Sequence, residues 1–347
     1  MTGQPFRPPC VGRRVASLPV LVAGAVAGTG VTYLASGRLE TAADRLASHY
    51  GVPAIVQGAV IAAVGSSMPE IAAVVLSTLL HGSFDLGVGS IVGSAVFNLL
   101  VIPALAALSA GGPLETNRTL VYKEAQFYML AVAALTLTFA LAVIYNPAAG
   151  ELQGRVTRPL ALAPVALYGL YVFIQYADTV AHDGARRRAD AVLREWARLA
   201  GSLVAIVIGV ELLVRAAVGF GATFGTSSFL WGVTVVAAGT SLPDAFVSLA
   251  AARAGESAVS LANVLGSNVF DLLVAVPTGV LLAGAATVNF ARITPMMAFL
   301  VVATVAFFAA TRTDLQLGRV EAVGLLGLYV LFVAWMVAEA AGLVTLL

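Results

Sequence analysis

Soft metal ligands and nucleophiles are almost missing from this 347-residue chain, which has one cysteine, three histidines and one lysine. A single Cys10 cannot close an internal disulfide. His49, His81 and His182 are isolated and loop-placed, which reads as solvated rather than liganding. Lys123 is not in a Gly-rich loop, so there is no Walker-type ATP site. Charge is scarce too: 11% of residues are Asp, Glu, Lys or Arg, and the net charge is +1. No basic cluster with interleaved aromatics is present, so nucleic acid is excluded as a partner, and the charge balance argues for no acidic one. Any energy-requiring work must draw on an ion gradient or on a partner.

Apolar residues are what the chain has in excess. They make up 60% of it, with a mean hydropathy of +0.95, far above a soluble domain. Runs long enough to cross a bilayer recur at residues 17–36, 53–80, 85–110, 125–145, 159–177, 199–219, 227–252, 257–286, 293–311 and 320–345, giving ten expected membrane spans. Arg13 and Arg14 ahead of the first run suggest a secretory or twin-arginine signal. That run has the length of a full span, however, and exceeds a signal's apolar core, so it is retained as the first helix.

Sorting the basic residues by loop gives an orientation. Six fall on the N-terminal side and twelve on the other, and Arg215 lies within a span. The N-terminus is therefore expected outside, with the central basic loop, residues 178–198, in the cytoplasm as a solvated connector. That loop separates 1–177 from 199–347, two units of five spans each. An odd number of spans inserts the second unit the opposite way, so similar halves would be inverted repeats.

The halves are similar. GAVIAAVGSSMPEIAAVV from Gly58 and GSIVGSAVFNLL from Gly89 match GVTVVAAGTSLPDAFVSL from Gly232 and LANVLGSNVFDLL from Leu261. These motifs occupy 58–110 in one copy and 232–284 in the other. Pro69 aligns with Pro243 and Gly93 with Gly266, with one additional residue between the two motifs in the first copy. Each proline lacks an N–H and so frees a carbonyl, that of Gly65 or Gly239. Hydroxyls come from Ser66, Ser67, Ser94, Thr240, Ser241 and Ser267, carboxylates from Glu70, Asp244 and Asp271, and an amide oxygen from Asn98. An all-oxygen set without His or Cys suits hard cations such as Na⁺ and Ca²⁺, the latter taking about 6–8 oxygens. Unpaired carboxylates in mid-membrane are costly, and no basic residue accompanies these in the sequence, so a functional reading outweighs a structural one.

GSSMPE with GSAVFN, and GTSLPD with GSNVFD, resemble the two α-repeats of the cation/calcium exchanger superfamily, specifically its sodium/calcium antiporters. The resemblance implies an all-α membrane protein of ten helices in two inverted five-helix repeats, with discontinuous helices at an ion site at mid-membrane. The second, third, seventh and eighth helices would form that site, with the first and sixth sliding across it during alternating access. By motif match the central acids fall on Glu70 and Asp244, partnered by Asn98 and Asp271. Hydroxyl ligands fall on the six Ser and Thr residues above, and carbonyl ligands on Ala63 and Ala237. Two departures, Asp at 244 and Ala95 in place of a common Asn, resemble the potassium-dependent branch, so K⁺ co-transport is a further expectation.

The expected function is exchange of Na⁺ for Ca²⁺ without a cofactor and without enzymatic chemistry. Three ionised carboxylates balance three Na⁺; one Ca²⁺ leaves one negative charge for a proton on Asp271 or a K⁺. The alternative is a Ca²⁺/H⁺ exchanger using the same acids. The hydroxyls beside both prolines favour Na⁺ instead. An intramembrane aspartyl protease built on Asp244 and Asp271 is disfavoured because the first copy has Glu and Asn there, and a cation channel is a remote alternative. Glu211 and Arg215 are expected to pair on one helix face, Asp85 and Glu256 to sit at helix starts, and Glu321 and Glu339 to be interfacial. The short central loop, without a regulatory domain, favours a prokaryotic plasma membrane.

Overall fold

A backbone in hydrocarbon must satisfy its own hydrogen bonds, so long apolar runs fold as helices. The computed structural model, which describes residues 17–50, 63–177 and 192–344, is built almost wholly of them. In the first half α1 is Leu18–Tyr50, and the second span is represented by α2 (Ala63–Ser66) and α3 (Met68–Leu79). The run 53–62 expected to begin that span lies outside the described residues, as do Cys10, His182 and most of the central loop. Next come α4 (Phe84–Leu100), α5 (Ile102–Ser109), a short β1 (Leu114–Glu115), α6 (Ala125–Tyr145), β2 (Gln153–Thr157) and α7 (Arg158–Ala177).

The second half opens with α8 (Val192–Phe224). A short α9 (Ser228–Trp231) runs through a wide turn, Gly232–Val236, into α10 (Ala237–Arg253). Then α11 (Ser257–Phe270) passes through another wide turn, Asp271–Ala275, into α12 (Val276–Ala283), followed by β3 (Ala285–Asn289), α13 (Phe290–Arg312), β4 (Gln316–Leu317) and α14 (Arg319–Ala340). Among the described residues nine helical stretches are long and apolar enough to span a bilayer, and Met68–Leu79 is a shorter apolar helix in the remaining position.

Two antiparallel strand pairs tie the loops together, β1 with β4 and β2 with β3. Each pair joins loops separated by an even number of spans, as loops on one face of a membrane must be. In the middle lie the third and eighth spans, whose most apolar windows are 83% and 72% buried, against 22% for α1 and 17% for α7. The helices at the centre are therefore those that carry the second motif of each repeat.

Helices α1 and α8 run antiparallel. Gly28 meets Gly209 so closely that a Cβ on Gly28 would lie 2.6 Å from the Gly209 carbonyl oxygen, so the backbones touch as small residues allow within membranes. Glycine serves again at Gly93, where a Cβ would run into the carbonyl of Val233 and bring α4 into collision with the second repeat.

The prolines act differently in the two copies. Pro69 follows a break at Ser67, separating α2 from α3. Pro243 lies inside a continuous α10, and its irregularity is the wide turn just before that helix. A second aligned pair, Pro103 and Pro277, stands five residues after Asn98 and six after Asp271. The extra residue in the second copy falls within the wide turn that begins at Asp271. Wide turns of this kind are single-turn bulges frequent at functional sites.

Candidate ion site

The polar residues of both repeats meet between α2–α3, α4, α10 and α11. Glu70 sits in the first turn of α3, just past the break at Ser67. Asp244 follows Pro243 in α10. Ser94 and Asn98 lie on α4, Ser267 near the end of α11, and Asp271 at the start of the wide turn that follows. All are withdrawn from the surface: Glu70, Asp244 and Asp271 are each 1% exposed, and Ser67, Ser94, Asn98 and Ser241 are fully buried.

Direct bonds cross from one repeat to the other. The Ser94 and Ser241 hydroxyls are 2.6 Å apart and share a hydrogen bond. Asn98 Nδ2 donates to Asn268 Oδ1 at 2.9 Å and reaches Asp244 Oδ2 at 3.5 Å. Around the acids, Ser267 and Ser66 stand beside Asp244, Thr240 beside Glu70, and Ser67 beside Asp271. Thr240 also donates to the Ala237 carbonyl at 3.3 Å, so that oxygen already has a partner. Ala63 begins α2; the structure describes nothing of its side chain.

Several of these oxygens have no hydrogen-bond partner among the described residues. They are both carboxylate oxygens of Glu70, both of Asp271, Asp244 Oδ1, Asn98 Oδ1 and Ser67 Oγ. A buried acceptor left unmatched costs about 1–3 kcal/mol, and more when charged. Seven such oxygens are gathered here from both repeats, which makes this the candidate site for a cation. The donor set fits Na⁺ and Ca²⁺ by its chemistry, since every free atom is an oxygen. No group of three acidic, His or Cys side chains among the described residues forms a ready metal cage. Hydroxyl, amide and carbonyl oxygens have to complete any coordination shell.

Two participants escaped sequence reasoning. Asn268 occupies the position that is Ala95 in the first copy; it donates to the Ala95 carbonyl and to the Tyr128 hydroxyl, both at 3.3 Å, while accepting from Asn98. Its presence in GSNVFD was the available signal. Tyr128, fully buried on α6, carried none.

Two expectations fail. His49 lies in the last turn of α1 and not in a loop. His81 is not solvated: its Nε2 lies 3.2 Å from the Glu211 carboxylate, which also binds Arg215 Nε at 2.6 Å. The Glu211–Arg215 pair forms as expected and gains a third member from the loop after α3. Asp85 does more than sit at a helix start, accepting a bond from the Asn289 backbone N–H at 3.2 Å. Glu339, one residue before the end of α14, is 8% exposed.

Comparison with known proteins agrees with this architecture. The family described as "Sodium/calcium exchanger protein" matches residues 20–177 and 195–338. An uncharacterized membrane protein of Methanocaldococcus jannaschii is 27% identical over 88% of this chain and 95% of its own. Sodium/calcium exchanger MaX1 of Methanosarcina acetivorans is 25% identical over 70% of this chain and 78% of its own. Among solved structures, the sodium-calcium exchanger NCX_Mj superposes with a TM-score of 0.60 at 22% identity, covering 92% of this chain and 99% of that one. A family match across both halves, a shared fold and two converging acidic motifs lead to one conclusion: the chain belongs to the sodium/calcium exchanger family.

Proposed function

We propose that the protein is a secondary active antiporter that exchanges Na⁺ for Ca²⁺ by alternating access, with Glu70, Asp244, Asn98 and Asp271 as its central ligands. Ser66, Ser67, Ser94, Thr240, Ser241, Ser267 and the carbonyls of Ala63 and Ala237 supply neutral oxygens around them. The observation that carries this reading is the meeting of the two repeats through Ser94 and Ser241, amid carboxylate oxygens without a hydrogen-bond partner among the described residues. Na⁺ and Ca²⁺ compete for the same oxygens, so each is carried only when the other is absent. Three carboxylates neutralise three Na⁺, and with Ca²⁺ the remaining charge is met by a proton on Asp271 or by K⁺.

The N-terminus is placed outside and the 178–198 loop in the cytoplasm of a prokaryotic plasma membrane. The arginine distribution supports this, and the two strand pairs are compatible with it. Residues 1–177 and 199–347 are the two repeats.

The test is ⁴⁵Ca²⁺ uptake into proteoliposomes driven by an outward Na⁺ gradient. Uptake that requires the Na⁺ gradient and collapses with external Na⁺ is the expected result. Uptake indifferent to Na⁺ and driven by a pH gradient would assign a Ca²⁺/H⁺ exchanger instead. Omitting K⁺ from the same vesicles decides whether it travels too.

A further inference from the structure

The two approaches to the site are unlike. On one, α8 covers α3: Ala72, Ala73 and Leu76 pack with Val210, Leu213 and Val214 in an apolar cluster, and His81 bonds Glu211 above it. On the other, α1 and α10 leave a groove of about 450 Å³ whose lining includes Arg38, Glu40, Pro243, Phe246 and Val247. The repeat offset equates Ala72 and Ala73 with Phe246 and Val247. The first two are 7% and 0% exposed, the second two 49% and 36%. The same offset equates Glu40 with Val214, which is fully buried. At this position one approach has a buried valine, and the other has a carboxylate lining a surface groove.

Three observations place Glu40 on the path to the site. Its Cα is 4.0 Å from where a Cβ on Gly65 would stand, at the start of the proline-broken motif. It shares the groove with Pro243, the neighbour of Asp244. It also stands within electrostatic reach of Asp244, whose Oδ1 is buried without a hydrogen-bond partner among the described residues. Tyr33 contacts Phe246 at 4.7 Å across the same groove, and Glu40 lies two turns further along α1, toward Tyr50. It therefore stands between the site and the face carrying β1 and β4.

We propose that Glu40 is an access subsite for cations, capturing Ca²⁺ or Na⁺ in the α1–α10 groove before transfer to Asp244, and that it acts from one face of the membrane only. A carboxylate in a low-dielectric cleft focuses its field and raises the local cation concentration. Asp44, one turn further along α1, adds to that field, and Arg38 at the groove opposes it. In the other repeat Val214 holds the equivalent place, and Glu211 on that approach is already engaged by Arg215 and His81, so less help is expected from the opposite face.

This inference rests on the exchange function proposed above, so the experiment measures wild type first. Half-saturating Ca²⁺ is determined at each face, using vesicles of known sidedness. For E40Q a rise of about tenfold is expected at the face of β1 and β4, with the other face and the maximal rate unchanged and E40D intermediate. R38Q, an exposed substitution that removes the opposing charge, should lower the value at the same face. Equal shifts at both faces, or a fall in maximal rate without a shift in half-saturation, would overturn the role of Glu40. Absence of Na⁺/Ca²⁺ exchange in wild type would instead overturn the functional assignment.

Discussion

The first repeat brings one carboxylate to the site and the second brings two. Glu70 is answered by Asp244, a methylene shorter, and Asn98 by Asp271, so the charge is concentrated on the second copy. The small residue changes sides as well: Ala95 in the first copy faces Asn268 from the second, which uses the space to reach the Ala95 carbonyl, Asn98 and Tyr128. Duplicated halves can thus diverge into complementary ones. An asparagine at both positions would crowd the crossing, and an alanine at both would leave Asn98 and Tyr128 without their partner.

The comparison breaks most severely at the shared acids. E70Q and D244N should each reduce Na⁺-driven ⁴⁵Ca²⁺ flux by roughly a hundredfold, equivalent to about 2.7 kcal/mol, although they lie on different repeats. If one of them transported normally, that repeat would not contribute to the site. D271N removes the charge by which the second copy exceeds the first. It is expected to raise half-saturating Ca²⁺ about tenfold and to abolish any requirement for a co-transported K⁺ or proton, read by varying each ion in turn.

Smaller effects sharpen the contrast in packing. N268A leaves the Tyr128 hydroxyl unmatched and the Asn98 amide with only its longer contact to Asp244, at a cost of about 1–3 kcal/mol, measurable as a lower unfolding temperature in detergent; the double variant A95N/N268A, which moves the amide to the first copy, should recover part of it. The smallest change is expected for H81A. It removes one arm of a partly exposed cluster on Glu211, worth about 0.2–1 kcal/mol, and should slightly favour opening of the face that α8 closes.

The convergence of both motifs on one candidate site was legible in the sequence because its signal was local and written twice. A proline next to an acid amid small residues is improbable in a lipid-facing helix, and two matching copies at a near-constant offset leave little room for accident. The slips in that offset were also readable: the added residue before Gly93, and the one after Asp271 that the helix absorbs as a wide turn. Contacts between residues remote in the chain were not legible. His81 finds Glu211 across 130 positions and Asn268 finds Tyr128 across 140, and nothing in either neighbourhood announces the partner. Glu40 was overlooked for a related reason. It lies outside both motifs, and only the packing of α1 on α10 gives it a place beside Asp244.

The central claim, that acids from both repeats hold the same cation, is tested most directly by equilibrium ⁴⁵Ca²⁺ binding to purified wild type, E70Q and D244N, with Na⁺ as competitor. The account predicts binding to wild type that Na⁺ displaces and that either substitution alone removes. Wild-type Ca²⁺ binding retained in one of the two variants would contradict it.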